Sequence, residues 1–225
     1  MNPVNKKAFG GLLQLIFFMA AALFIPAWTL NYWQAWVFLA VFFISVLAIT
    51  IYLTNKDPKL LERRIKGGSA AETRRSQKII QFLAAIAFIA IFILSALDHR
   101  FAWSVVPYAV VIAGDLLVAL GLLAVYFVFR ENSYASATIE IVTEQRLITT
   151  GPYAIVRHPM YSGAFVMLAG VPPALGSWWG LLAVIPIILT IIWRLIDEEK
   201  FLQINLAGYS DYLGNVKYRL LPFIW

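Results

Sequence analysis

"IIQFLAAIAFIAIFILSAL", residues 79–97, contains no charged residue. A helix of about 20 residues spans roughly 30 Å, the hydrocarbon thickness of a bilayer. A run of this kind points to a transmembrane helix. The same character recurs on both sides of it. "AFGGLLQLIFFMAAALFIPAWTL" (8–30) and "WQAWVFLAVFFISVLAITIYL" (33–53) precede it, and "SVVPYAVVIAGDLLVALGLLAVYFVF" (104–129) follows. Two shorter apolar pieces, 159–175 and 177–193, meet around "VPPALGS", a helix-breaking sequence. These two read either as full crossings or as a tight helical hairpin that dips in and returns. The sequence thus predicts an all-α integral membrane protein with about six membrane helices and an amphipathic C-terminal helix on the cytoplasmic face.

Composition agrees. The 225 residues are 61% hydrophobic and 13% charged, with a mean hydropathy of +0.78. A soluble domain is about half apolar and roughly a quarter charged. Cysteine is absent, which excludes disulfides, a thiolate metal site and a cysteine nucleophile. With only His99 and His158, a His-rich metal site is not expected either. Met1–Lys7 is too short and polar for a signal peptide, so the first span reads as retained.

The basic residues set the orientation. Residues 54–78 hold eight Lys/Arg, and Lys6, Lys7, Arg130, Arg146, Arg157, Arg194, Lys200, Lys217 and Arg219 fall on the same side after six crossings. Only Arg100 falls on the other. The positive-inside rule then places both termini in the cytoplasm. The net charge of +6 therefore follows from topology, and the 54–78 segment suits anionic lipid headgroups rather than nucleic acid. Trp28, Tyr32, Trp33 and Trp36, with Trp103, Trp178 and Trp179, read as an aromatic belt at the outer interface.

Two polar clusters lie at the cytoplasmic boundary. In "RHPMY" (157–161), Pro159 holds His158 extended and opens a helix, with Tyr161 in its first turn. Amides at a helix N-terminus favour an anion, and Arg157 offers a fork for carboxylate or phosphate. The plainer reading makes these residues lipid anchors. In "RLIDEEKFL" (194–202), Arg194, Asp197 and Glu198 share one helical face and Glu199 is rotated away. The hairpin brings this cluster to the first one. Asp115, inside the fourth span, reads either as a functional acid or as a hydrogen-bonding group between helices. No GxGxxG or GxxxxGK[ST] is present, so the nucleotide-binding folds of soluble enzymes are not expected.

"QRLITTGPYAIVRHPMYSG", followed at a distance by "RLIDEEKFL" and "GYSDYLGNVKYRLLPFIW", resembles the isoprenylcysteine carboxyl methyltransferase family, a relative of membrane phospholipid methyltransferases. The resemblance covers about the last 95 residues. The apolar runs give four N-terminal spans in 1–129 with a basic cytoplasmic loop at 54–78, and the resemblance implies a cofactor-binding, catalytic region in 130–225, the two forming one integrated domain. It implies S-adenosylmethionine as methyl donor. Gln145, Arg146, Leu147, Ile148, Tyr153, His158, Pro159, Met160, Tyr161 and Glu198 would line its site. Arg194 would meet a lipophilic methyl acceptor from the bilayer, isoprenylcysteine carboxylate-like or another lipid-like small molecule. Arg157, Arg194 and Glu198 are the catalytic candidates. Many relatives have His where Gln145 stands, and Gln carries no titrating proton. Two other readings share parts of the pattern. NADPH-dependent sterol-type reductases have RHPxY and a closing "YRLLP" but usually Asn where Met160 stands. A non-catalytic transporter or assembly protein would centre on Asp115.

Overall fold

The computed structural model describes residues 2–142 and 144–225. Among these residues there are eight α-helices and no strand. They are α1 (Pro3–Ala27), α2 (Trp33–Lys56), α3 (Pro58–Ile65), α4 (Arg75–Phe101), α5 (Tyr108–Glu131), α6 (Pro159–Ala174), α7 (Gly180–Asn205) and α8 (Tyr209–Asn215). Local chemistry explains their starts. The Asn2 side chain accepts from Val4 N and Pro3 opens α1. Asp57 accepts from Leu60 N ahead of Pro58, capping α3. Pro159 opens α6, but His158 before it, at φ −126° and ψ 62°, is not in the extended conformation expected ahead of a proline, because its backbone N–H is drawn to Arg219 O and its carbonyl already accepts from the first turn of α6.

Five helices, α1, α2, α4, α5 and α7, are long and apolar enough to cross a membrane. Their outward faces carry exposed Leu, Ile and Phe, as lipid contact requires. α6 has 16 residues, about 24 Å of helix, which is short of the hydrocarbon thickness. It runs antiparallel to α7 across the 175–179 turn. Pro172 and Pro173 lie within the last turn of α6 instead of in the turn itself. α7 continues for twelve residues past the apolar segment ending at 193. Arg194, Asp197, Glu198 and Glu199 therefore ride on one continuous helix.

The closest helix contact is between α5 and α6, and four glycines make it. A Cβ on Gly121 would stand 2.5 Å from Gly163 O and from Met167 N. Gly170 faces Gly114 O in the same way one step further along. In lipid, where apolar burial gives little drive, small residues let backbones approach and gain dispersion. This contact sets the start of α6 beside the end of α5.

One end of the bundle gathers the start of α1, the ends of α2, α5 and α7, all of α3, and the starts of α4 and α6. Arg74 to Asp197, Arg64 to Met160, and Asn132 to Tyr153 are contacts of this end. The opposite end carries the exposed tryptophans 28, 33, 36, 103, 178 and 179. Tyr32 does not belong to that aromatic belt. It is fully buried, its hydroxyl donates to Leu175 O at 2.7 Å, and its ring stacks on His99. A phenol that satisfies the carbonyls ending a neighbouring helix is drawn inward instead of toward headgroups.

The basic segment 54–78 is also more than a lipid anchor. It contains α3 and the first turn of α4, and Leu60, Leu61, Glu72 and Gln77 are buried. Asp115 is buried in α5 with neither carboxylate oxygen hydrogen-bonded.

Candidate active site

The site is built where α6 begins and α7 leaves the apolar layer. Arg157 N and His158 N donate to Tyr218 O and Arg219 O, both at 2.9 Å, so the C-terminal segment lies along the RHP stretch. Ser162 Oγ adds a bond to Leu220 O at 2.6 Å. This backbone pairing fixes the entry to α6 from outside.

Glu199 sits at the centre of the cluster. Its Oε1 lies 3.0 Å from Arg157 Nε and 3.2 Å from His158 Nε2, and its Oε2 accepts from Arg219 Nε at 2.9 Å. The rotation that takes Glu199 off the Arg194 face is what aims it at Arg157 and His158. Tyr161 bridges to the other face. Its hydroxyl donates to Glu198 Oε2 at 2.6 Å and accepts from Arg194 Nε at 3.1 Å.

Arg194 is engaged on all three nitrogens. Nη1 donates to Glu72 at 2.9 Å and to Gln77 at 2.7 Å, and Nη2 donates to Ala137 O at 2.9 Å. Asp197 takes Arg74 at 2.9 Å and also Gln77. The acids of "RLIDEEKFL" are thus partnered by three different parts of the chain, not by an ion pair within the helix.

A cavity opens at this point. Its lining includes Gln145, Arg146, Leu147, Ile148, Tyr153, His158, Pro159, Met160, Tyr161 and Glu198, and also Arg157. The structure therefore brings together every residue expected at the cofactor. Arg194 lies outside this cavity, on a second chamber of about 420 Å³ between α4, α5, α6 and α7. Met160, Tyr161 and Glu198 line both. Gln145 is held back on its own loop, its Oε1 accepting from Val142 N at 3.0 Å, which leaves its amide NH₂ as the group available to a ligand.

Sequence reasoning missed several members. Asn132 donates to the Tyr153 hydroxyl at 2.8 Å, and the Tyr212 hydroxyl donates to Tyr153 O at 2.7 Å. Tyr209 and Tyr212 line the cavity from α8. Burial pushes the phenols of Tyr153 and Tyr209 well above their ordinary range, and Glu199 and Glu198 add to the rise at Tyr209. The same burial pushes Tyr212 up to about 12. Glu72 and Gln77 lay hidden in a segment whose obvious feature is positive charge. The "GYSDYLG" tyrosines were visible, but with no sign of which way they face.

The lining can be tested against a sulfonium nucleoside. Such a ligand has a flat base, two ribose hydroxyls, an amino-acid group and a fixed positive charge. Leu147, Ile148, Leu202 and Leu206 supply an apolar wall for a base. Glu140 and Glu198 supply carboxylates for hydroxyls or a cation. The Tyr209 hydroxyl is buried without a hydrogen-bond partner, a free polar group on the same wall. The donor set fits.

Comparison with known families agrees with this geometry. Residues 109–207 match the sequence model of the phospholipid methyltransferase family. Methyltransferases of that family use S-adenosylmethionine. The match runs from the start of α5 to the end of α7 and covers most of the cavity wall. Over these residues the chain is similar to a family of membrane methyltransferases. No curated protein matches the chain.

Proposed function

We propose that the protein is an integral membrane methyltransferase that binds S-adenosylmethionine in the cavity around Tyr153, Tyr161 and Glu198 and methylates a lipophilic acceptor held in the adjoining chamber. The observation that carries this reading is the shared wall. Met160, Tyr161 and Glu198 face a polar cavity on one side and an otherwise largely apolar chamber on the other. Bound S-adenosylmethionine supplies an electrophilic methyl group on a sulfonium sulfur.

The chain's contribution is positioning and electrostatics. Glu198 keeps Oε2 on Tyr161 and, among the described residues, leaves Oε1 without a hydrogen-bond partner, so it would be available to hold the positively charged end of the cofactor. Tyr161 locks Glu198 to Arg194. The Arg157–Glu199–Arg219 cluster holds His158 and the start of α6 in place. We read the acceptor as a carboxylate, which is ionised at neutral pH and needs no general base. With an amine acceptor, Glu198 would take the proton. Both termini and the site would face the cytoplasm, where the cofactor is, while the acceptor arrives from the bilayer.

Calorimetric binding of S-adenosylhomocysteine to the detergent-solubilised protein tests the reading. Wild type binds, and Tyr161→Phe and Glu198→Gln bind more weakly. Radiolabelled methyl transfer into a membrane extract then reports the acceptor class. Tight NADPH binding with no response to S-adenosylhomocysteine would overturn it.

A further inference from the structure

Arg64, on α3, lines two cavities at this end of the bundle. Arg74, Arg157, Arg194 and Arg219 each pair with a carboxylate. Among the described residues Arg64 has none. Its Nη1 donates to Ser136 O at 3.0 Å and lies 3.8 Å from Met160 Sδ, and its guanidinium rests over the Phe129 ring at 5.0 Å. Its other N–H groups have no protein acceptor among the described residues. Burial lowers its pKa from the ordinary value, as expected for a cation lacking an anion.

Two cavities meet at this guanidinium. One is the acceptor chamber. The other is a groove of about 630 Å³ between α1, α2, α3 and α5. Both have sizes typical of small-molecule sites. They share Arg64, Leu122 and Val125. The groove is apolar in depth, with Leu12, Leu15 and Ile49 among its walls. Its rim is basic: Lys7, Lys66 and Arg64 against Glu62, which is already paired with Lys66 at 2.8 Å.

We infer that Arg64 and this groove form a binding site for an anionic amphiphile, with the acidic group at the guanidinium and the hydrocarbon chain along α1 and α2. The charge pattern selects the occupant. A neutral lipid would leave a partly desolvated cation uncompensated, whereas a carboxylate gains a charge-assisted bond in a half-apolar setting. Met160 touches Arg64 and also lines the cofactor cavity, so an anion here lies beside the proposed reaction zone. Its identification as the methyl acceptor rests on the proposed function; the binding site itself does not. On this assignment Arg64 performs the acceptor-orienting role that Arg194, saturated by Glu72, Gln77, Ala137 and Tyr161, is not free to perform.

The test uses a photoactivatable palmitic acid and its methyl ester, each added to the full chain in phosphatidylcholine nanodiscs, with labelled peptides mapped by mass spectrometry. The acid should label α1 and α2 more strongly than the ester, by on the order of tenfold, the effect of one charge-assisted hydrogen bond. Arg64→Gln should abolish the preference, and Arg64→Lys should keep part of it. Arg100→Gln, at the opposite end, should change nothing. Gly11→Leu fills the groove at a position with no heavy atom within 4 Å of an added Cβ, and should lower labelling by the acid with Arg64 intact. Equal labelling by acid and ester, or a preference that survives Arg64→Gln, overturns the inference. S-adenosylhomocysteine binding is measured on the same samples. If it is absent while labelling stays Arg64-dependent, the binding site stands and the methyltransferase reading falls. If it is present while labelling ignores Arg64, only the inference falls.

Discussion

Neutralising Glu199 should do more damage than any other single change in the RHP cluster, and the structure gives the reason. Its side chain is 7% exposed, and that of Arg157 is 8% exposed. Glu199→Gln keeps the shape but leaves the Arg157 guanidinium buried without an anion. Removing one partner of a buried pair costs about 3–5 kcal/mol. Arg219 differs because its side chain is 34% exposed and can rehydrate. Arg219→Gln should therefore cost only about 0–1 kcal/mol, the range of a surface pair. For a protein of this size 1 kcal/mol moves the midpoint by about 2–4 °C, so Glu199→Gln should lower Tm by roughly 6–20 °C. Thermal unfolding in detergent, followed by tryptophan fluorescence, reads this directly. The double variant Arg157→Gln/Glu199→Gln is the sharper test. It removes both buried charges together and should be more stable than Glu199→Gln alone. A Glu199→Gln shift no larger than that of Arg219→Gln, or a double variant no more stable than Glu199→Gln alone, would refute the charge argument.

Three further outcomes follow from other parts of the molecule. Gly121→Ala forces a Cβ against the α6 backbone and should destabilise by about 1–3 kcal/mol, while Gly10→Ala, with open space around it, should stay near wild type; both are read by thermal unfolding. Tyr212 has its folded pKa raised to about 12, so its contribution is complete below the unfolded value near 10 and is lost as pH rises toward 12. Tyr212→Phe should lose about 1 kcal/mol at neutral pH with its bond to Tyr153 O, and should show a shallower alkaline fall in stability. Glu72→Gln strips Arg194 of its buried carboxylate partner and should slow methyl transfer by roughly tenfold or more, with S-adenosylhomocysteine affinity changed far less, because Arg194 lies outside the cofactor cavity.

The membrane helices were legible because lipid imposes a simple rule: a long run without charge must be helical and must span. The limits of that rule are equally clear. The apolar segment ending at 193 hides the continuation of α7 to Asn205, since backbone hydrogen bonding continues where hydropathy stops. Tyr32 was misread because interfacial position and burial look alike for a tyrosine until its hydroxyl finds an acceptor. The RHPMY and RLIDEEKFL clusters could be placed on facing helices from the hairpin alone. Their pairing could not be read, since partner choice depends on rotation about each helix and on a loop 120 residues away. Glu72 shows this best. An acid in a basic segment reads as solvated, yet this one is buried against Arg194.

That placement divides the labour of the chain. The cofactor cavity is built almost wholly from residues within 109–207, with Tyr209 and Tyr212 added from α8. The chamber proposed for the acceptor borrows from outside that range: Arg64, Gly68, Ile80, Gln81 and Ala84 come from α3, α4 and the segment between them. Glu72 and Gln77, which fix Arg194, come from there too. A charged side chain at the edge of hydrocarbon persists only with a partner, so each of these basic-segment contacts is a constraint on the site and not decoration of the surface. Under the proposed function, chemistry on the donor side can stay constant while the 54–84 stretch changes, because that stretch lines the second chamber but supplies none of the lining of the cavity around Tyr153. Under the proposed function, acceptor selectivity is shared between the matched residues that line most of this chamber and the 54–84 stretch that the family match does not reach.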